Sequence, residues 1–227
     1  GIERMSAFLK KFNLGEETKL DLGSEKAGVV PNQEWKRNNF SSKQNQNWYL
    51  GETVIAGIGQ GYMLATPVQL AYATSIIANR GYAYKPHILK QINLNNSSEP
   101  LSTQSERIDH LMNIDNEYWD VVFEGMKAVV NEKRGTAYGV FPENSDIAGK
   151  TGTSQVFNMD KRSGNDVPEE LKDHGLFIGF APINDPEIVI AVIVENGGGG
   201  RVAAAPVAKQ MFNKFRELGG KKVVESN

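Results

Sequence analysis

The chain contains no cysteine, which excludes disulfide bonds, a thiol nucleophile and zinc sites built from thiolates. Its three histidines, His87, His110 and His174, are too scattered to form a metal-ligand spacing. No apolar run is long enough to span a membrane, and no signal peptide is recognisable. The formal net charge is −2 without a block of like charges, so nothing indicates nucleic-acid binding. We therefore expect no metal, no other cofactor and no nucleic-acid partner.

The 227 residues are 40% hydrophobic and 23% charged, which is typical of a globular protein with ample material for a core. Four segments have the apolar periodicity of helices, namely residues 2–12, 66–80, 115–132 and 203–218. The second has clear start signals, because Thr66 can cap it, Pro67 suits its first position and Gln69 completes a capping box. The last two are predicted to turn these residues inward: Tyr118, Val121, Val122, Met126, Val129 and Val130, then Val207, Met211, Phe212 and Phe215.

Three segments read as strands: residues 146–157, 176–183 and 187–194. The short link at 184–186 predicts an antiparallel hairpin between the last two. Residues 16–50 are predicted to be a long ordered loop, residues 57–61 a glycine-rich turn, and residues 159–173 a second loop. This order predicts an α+β fold, an antiparallel sheet flanked by helices, with residues 146–157 at its edge.

The chemistry of the chain is concentrated at the centre of that first strand, in Lys150, Thr151, Gly152 and Thr153. Side chains alternate along a strand, so the two threonines share one side and Lys150 and Gly152 the other. A cation, two hydroxyls and one bare backbone position suit an extended, peptide-like ligand that ends in a carboxylate and pairs with the strand edge.

Two other interpretations of these residues stay open. Lys150 alone is compatible with an ordinary surface lysine in a strand. Residues 149–151 also match the end of a phosphate-binding loop, but that motif needs a glycine where the chain has Asn144, and a helix where residues 152–157 are a poor helix start.

Four stretches, taken in order, resemble the transpeptidase domain of class B penicillin-binding proteins, and most of all the penicillin-binding protein 2 branch. They are residues 31–36 with 48–51, residues 58–61 with 66–71, residues 149–153, and residues 173–174 with 177–182. The resemblance implies a portion of the serine β-lactamase and penicillin-binding transpeptidase fold. It also implies that residues 1–227 are the C-terminal portion of a single transpeptidase domain.

That family uses three motifs, Ser-x-x-Lys, Ser-x-Asn and Lys-Thr-Gly. Only the third is recognisable here, because no serine has a lysine three positions later, and the letters of Ser163-Gly164-Asn165 follow the Lys-Thr-Gly strand instead of preceding it. The resemblance therefore places the nucleophile and the second motif upstream, and we expect this segment alone to be inactive.

The intact protein implied by the resemblance is a peptidoglycan D,D-transpeptidase of cell-wall elongation. It would transfer an acyl group from D-Ala-D-Ala stem peptides through a serine, and β-lactams would acylate the same serine. Lys150, Thr151 and Thr153 would bind the substrate carboxylate, Gly152 would admit the ligand backbone, and the backbone N–H of Thr153 would help to stabilise the oxyanion. The family also implies membrane proteins of the elongation machinery as partners, and the periplasmic face of the inner membrane as location.

Two other functions compete with this hypothesis: a non-catalytic peptide-binding module and a β-lactamase-type hydrolase. Asp173 and His174 precede a predicted strand, and a structural hydrogen bond that orders the 159–173 loop is favoured over an acid–base role, since the family's mechanism needs no histidine.

Overall fold

The protein is described by a computed structural model that covers residues 1–93, 101–103, 105–108, 114–155 and 168–219. The chain folds into two compact units. The first contains residues 1–76 and 81–112, and the second contains residues 77–80 and 113–227. Within the described residues no helix is both long enough and apolar enough to cross a membrane.

The first unit is mainly helical. Its helices are α1 (Ile2–Lys10), α2 (Gln33–Asn39), α3 (Lys43–Gln46), α4 (Leu50–Gly57) and most of α5 (Pro67–Ala78), and its strands are β1 (Ala83–Tyr84), β2 (Gln91–Ile92), β3 (Leu101–Ser102) and β4 (Arg107–Ile108). The strands form two short antiparallel ladders, β1 with β4 and β2 with β3. Tyr72, Ile76 and Ala83 form the buried cluster of this unit, and Phe12 and Ile108 pack against it.

Helix α5 begins with the predicted capping box. The Thr66 backbone N–H donates to Gln69 Oε1 over 2.9 Å, and the Gln69 N–H donates to Thr66 Oγ1 over 3.1 Å. The fully buried Gln69 amide also donates to the carbonyls of Glu16 and Ala27, both at 2.7 Å. One side chain thus caps the helix and anchors a distant loop, because a buried amide needs partners for each of its hydrogen-bonding groups.

The prediction that residues 16–50 lack regular structure is wrong for their second half, which contains α2, α3 and the start of α4. Helix α2 begins where Asn32 Oδ1 accepts a hydrogen bond from the Trp35 N–H at 2.7 Å, as a capping asparagine does. These helices are short and polar, so their apolar periodicity is too weak to be seen, and tertiary contacts stabilise them instead.

The second unit contains α6 (Asn116–Asn131), β5 (Ala148–Ser154), β6 (His174–Ala181), β7 (Ile188–Val194) and α7 (Ala204–Glu217). The strands form an antiparallel sheet in the order β5-β6-β7, as predicted. Strand β5 is at the edge, with Lys150 opposite Ile178 and Thr151 opposite Phe177. It is shorter than the predicted strand, and Val156 and Phe157 lie outside the described residues.

The buried faces of the two long helices agree with the predicted ones in part: Met126, Val130 and Phe212 are buried and Val129 and Phe215 pack against the core, whereas Val122 is exposed. Helix α6 buries Trp119, Phe123, Met126 and Val130, whereas Tyr118 and Val121 are exposed. Helix α7 buries Ala204, Ala205, Ala208 and Phe212, whereas Val207 and Met211 are exposed. Both helices carry apolar residues outside the packed face as well, so composition alone did not identify that face. On α6 the large rings decide it, and on α7 the alanines allow a close approach to the sheet.

Candidate functional site

The four residues singled out from the sequence lie on the edge strand β5. Among the residues that the structure describes, β5 pairs with β6 alone, so the backbone groups along its other edge are open to a ligand. An extended peptide can add to such an edge through main-chain hydrogen bonds. The strand therefore has the geometry that the sequence predicted for it.

Burial changes along β5 from its start to its centre. Ala148 and Gly149 are buried, Lys150 is exposed, Thr151 and Gly152 are half-buried, and Thr153 is exposed. The Lys150 ammonium donates to the carbonyl of Thr151 over 2.6 Å, so the cation lies along its own strand. An exposed ammonium loses little solvation in this position and can turn toward an approaching carboxylate.

Thr151 has a partner that the sequence did not indicate. Its Oγ1 lies 2.6 Å from Oγ1 of Thr136, which follows the end of α6, and either hydroxyl can donate. Nothing in the sequence connects Thr136, which lies a few residues past the helix, to a strand fifteen positions away. Only the fold brings these two threonines together.

Glycines hold the backbone of β5 against its neighbours. A Cβ at Gly149 would lie 2.4 Å from Cζ of Phe177, and a Cβ at Gly152 would lie 3.2 Å from Cβ of Leu176. A Cβ at Gly200 would lie 2.1 Å from the carbonyl oxygen of Leu176 and 2.5 Å from that of Gly152. The loop that carries Gly200 thus rests directly on the β5–β6 ladder at Gly152. The absence of a side chain at Gly152 therefore also allows close packing inside the protein, besides leaving room for a ligand backbone.

Asp173 and His174 make hydrogen bonds to the loop before α7. His174 Nδ1 accepts from the backbone N–H of Asn196 at 2.9 Å, and the Asp173 carbonyl accepts from the N–H of Gly198 at 2.8 Å. The Asn196 amide donates to the carbonyls of Glu170 and Lys172 at 2.8 and 3.1 Å. These bonds fix residues 170–174 to the loop before α7, whereas the predicted loop residues 159–167 lie outside the described part of the chain. Within the described residues there is no group of three or more His, Asp or Glu side chains that could hold a metal.

The first unit contains a second polar cluster, centred on a buried lysine. The Lys36 ammonium donates to Glu52 and, over 2.7 Å, to the carbonyl of Asn47. Four aromatic rings surround it at 5.1–5.9 Å from their centroids: Phe40, Trp48, Tyr49 and Tyr62. Burial alone would raise the pKa of Glu52, but hydrogen bonds from Lys36, the Tyr49 N–H and the Tyr62 hydroxyl outweigh it and hold that pKa below its ordinary value. Burial and the bond to Glu52 raise the pKa of Tyr62.

The position of this cluster argues for a structural role. The ammonium is satisfied by a carboxylate and a carbonyl and covered by rings, so it is not available to a ligand. A polar cleft of about 630 Å³ lies beside it, lined by residues of α2 and α3 and the segment that follows, and it includes none of residues 150–153.

Comparison with known proteins gives a consistent result. A family model described as penicillin binding protein transpeptidase domain matches residues 1–213. The chain is 37% identical over 204 residues to the peptidoglycan D,D-transpeptidase MrdA of Escherichia coli K12, a match that covers 88% of this chain and 31% of that protein.

Solved structures resemble the fold as well. The penicillin-binding protein PBP2 of Helicobacter pylori, in complex with MreC, has a TM-score of 0.76 at 34% identity, covering 96% of this chain and 36% of that one. PBP2 of Pseudomonas aeruginosa, in complex with WCK 5153, has a TM-score of 0.73 at 39% identity, covering 100% of this chain and 44% of that one. The chain spans about a third of the length of the curated relatives it matches.

Proposed function

This chain belongs to the family of penicillin-binding protein transpeptidase domains, and we propose that it is the C-terminal part of one such domain in a peptidoglycan D,D-transpeptidase of cell-wall elongation. The observation that carries the proposal is the open edge of β5 with Lys-Thr-Gly-Thr at its centre. The similarity to MrdA proteins and to PBP2 structures supports the same assignment.

The proposed reaction is an acyl transfer in two steps. A serine outside residues 1–227 attacks the carbonyl carbon of the D-Ala-D-Ala bond, the C–N bond breaks, and D-alanine leaves with a proton on its amine. The amine of a stem peptide on a neighbouring peptidoglycan strand then attacks the acyl-serine ester. The acyl group passes to that amine, and the serine hydroxyl is regenerated. A β-lactam reacts with the same serine by opening its ring. The C–N bond of the ring breaks, but the nitrogen stays attached to the acyl group, so no fragment leaves.

Each residue at the centre of β5 then has a role in binding. Lys150 attracts the terminal carboxylate, and a charge pair of this kind about 4 Å apart near a protein surface is worth roughly 4 kcal/mol before desolvation. Thr151 and Thr153 donate hydroxyl hydrogen bonds to that carboxylate, and Gly152 lets the ligand backbone approach. The Thr153 N–H is one oxyanion donor, a contribution of roughly 3–4 kcal/mol in the transition state.

The proposal extends to the setting of the intact protein. The PBP2 of Helicobacter pylori is solved with MreC, which supports a partner of the elongation machinery for this protein too. A substrate in the cell wall requires catalysis on the outer side of the inner membrane, so we place the domain on the periplasmic face. Its ligands are the stem peptide and β-lactams, and the chemistry described here requires no cofactor.

The proposal is tested by changing Lys150 in the intact protein that carries this segment. Lys150→Ala should lower the second-order rate of acylation by a fluorescent penicillin about thirty- to a thousand-fold, because it removes roughly 2–4 kcal/mol of transition-state stabilisation. The melting temperature should hardly change, since surface substitutions alter stability by no more than about 0.5 kcal/mol. Lys127→Ala, which removes an exposed lysine from α6, is the matched control and should behave as wild type.

Three results would contradict the proposal. Wild-type protein that forms no covalent adduct with penicillin would favour a non-catalytic binding module. Rapid hydrolysis of penicillin without a lasting adduct would favour a β-lactamase-type enzyme. A Lys150→Ala protein that acylates at the wild-type rate would reduce Lys150 to an ordinary surface residue.

A further inference from the structure

The contact between Thr136 and Thr151 assigns a function to a residue outside the Lys-Thr-Gly-Thr segment. We propose that Thr136 is a positioning residue, which orients the Thr151 hydroxyl so that it donates its proton to the carboxylate of the ligand. The inference rests on the proposed function, because it concerns how that carboxylate is bound. Its basis is the distance of 2.6 Å between the two Oγ1 atoms, which lies in the range of an O–H···O hydrogen bond.

Thr136 is exposed, and the backbone on both sides of it belongs to the turn that ends α6. The Ala137 N–H donates to the Val129 carbonyl over 2.9 Å, and the fully buried Ala137 side chain belongs to the main core of the unit. A Cβ at Gly135 would lie 2.3 Å from the carbonyl oxygens of Ala128 and Val129. The backbone on both sides of Thr136 therefore packs directly on the last turn of the helix.

Thr151 is fixed just as firmly from the other side. It lies in the middle of the β5–β6 ladder, opposite the fully buried Phe177. Two residues earlier, Gly149 packs against the ring of that phenylalanine. With both backbones held, the contact between the two threonines can change through rotation of their side chains and of their hydroxyl protons.

The chemistry of the groups decides that rotation once a ligand is bound. A hydroxyl has one proton to donate and two lone pairs to accept with, whereas a carboxylate can only accept. Thr151 must therefore donate to the carboxylate, and the bond between the threonines must run from the Thr136 O–H to Thr151 Oγ1. Donation into that oxygen polarises its own O–H, so the two bonds strengthen each other.

Without a ligand, either threonine can be the donor. A Thr151 proton directed at Thr136 is turned away from the ligand, and ligand binding reverses the direction of the bond between the two hydroxyls. If Thr136 loses its hydroxyl, Thr151 keeps its proton but loses the group that holds the oxygen and directs the proton outward. The result is a weaker bond to the carboxylate and an unchanged reacting centre.

The experiment compares two ligands in the intact protein, a penicillin with its free carboxylate and the methyl ester of the same penicillin. Thr136→Val keeps the shape of the side chain and removes the hydroxyl, while Thr136→Ser keeps the hydroxyl. Thr103→Val is the control for an equivalent change in the first unit. We expect Thr136→Val to lower the acylation rate with the free carboxylate about three- to ten-fold, the range of one hydrogen bond. The ester should react with Thr136→Val and wild type at equal rates.

Two further readouts separate positioning from a structural role. The loss should appear in the concentration of penicillin that gives half-maximal acylation and not in the limiting rate, because the contact is made equally before and during the reaction. Thr136→Ser should restore the wild-type rate, and Thr103→Val should not change it.

The outcomes distinguish this inference from the proposed function. If Thr136→Val slows both ligands equally, or slows neither, Thr136 does not orient Thr151 toward a carboxylate and the inference is wrong while the proposed function stands. If wild-type protein is acylated by neither ligand, the proposed function fails and the inference fails with it.

Discussion

Replacing Gly200 by alanine tests whether the loop before α7 supports the candidate site. The added Cβ would lie 2.1 Å from the carbonyl oxygen of Leu176, 2.5 Å from that of Gly152 and 3.0 Å from the Gly152 nitrogen. Ordinary contacts between such atoms are more than about 1 Å longer than the shortest of these, so the loop must move off the strands or the strands must separate. Neither movement is small, because both oxygens belong to the backbone of a paired strand.

The size of the effect follows from what has to give way. Overpacking a well-packed interior costs about 1–3 kcal/mol. Losing one hydrogen bond near the loop adds about 1 kcal/mol. We therefore expect Gly200→Ala to lower the free energy of unfolding by about 3 kcal/mol, which lowers the melting temperature by about 6–12 °C for a chain of this size.

The neighbouring glycine provides the control. A Cβ at Gly199 would have no atom within 4 Å. Gly199→Ala should therefore be neutral or slightly stabilising, since alanine restricts the unfolded chain by about 0.4–1 kcal/mol. Thermal melting of both variants measures the change in stability. Hydrogen exchange of the β6 amides shows whether the change arises at that strand. If the two variants melt together and protect β6 equally, the loop does not rest on the ladder and the reasoning fails.

Two further predictions concern the buried lysine of the first unit. Lys36→Ala should destabilise the protein by about 2–4 kcal/mol, because it leaves Glu52 and the Asn47 carbonyl without their partner, whereas the exposed Lys43→Ala should change stability by less than about 0.5 kcal/mol in chemical denaturation. The pKa of Glu52 is lower in the folded than in the unfolded protein, so its contribution to stability is full above its ordinary pKa of 4.5 and is lost as the pH falls through the lower folded value. Glu52→Gln should therefore flatten the fall in stability between about pH 6 and about pH 3 in urea titrations, and an unchanged slope would contradict the assigned bonding.

The sheet and the start of α5 could be predicted because their signals are local. Strands β6 and β7 are rich in apolar residues and are joined by the short link at residues 182–187, and the Thr66–Gln69 capping box is fully contained in four residues. Patterns of this kind are determined by neighbouring side chains and do not depend on contacts with distant parts of the chain.

The missed elements depend on distant contacts. Helix α2 has seven residues and little apolar character, and it is fixed by Lys36, whose partners Asn47 and Glu52 are eleven and sixteen positions away. The inward faces of α6 and α7 also depend on what packs against them, since large apolar side chains such as Val121 and Val207 are exposed while the smaller Ala204 and Ala208 are buried. Sequence periodicity identifies a helix more reliably than the direction it faces.

The same distinction applies to the candidate site. Lys150, Thr151, Gly152 and Thr153 are contiguous, so the strand that carries them could be recognised without knowing the fold. Thr136 approaches Thr151 only because α6 ends beside β5, and Gly200 reaches the strand only because the loop before α7 folds over β6. A single sequence contains no signal for either contact.

These two contacts explain how an edge strand can be both open and rigid. An unpaired edge is normally a mobile part of a sheet, and a ligand that has to order it loses affinity in doing so. In β5 the backbone at Gly152 is covered by Gly200, and the side chain of Thr151 is bonded to Thr136, while the edge itself stays free within the described residues. Both contacts reach β5 from residues that lie outside the strand. Thr151 and Gly152, which are proposed to contact the ligand, are contacted in turn by Thr136 and Gly200. Substitutions at 136 and 200 should therefore impair ligand binding through β5, even though neither residue belongs to the Lys-Thr-Gly-Thr segment.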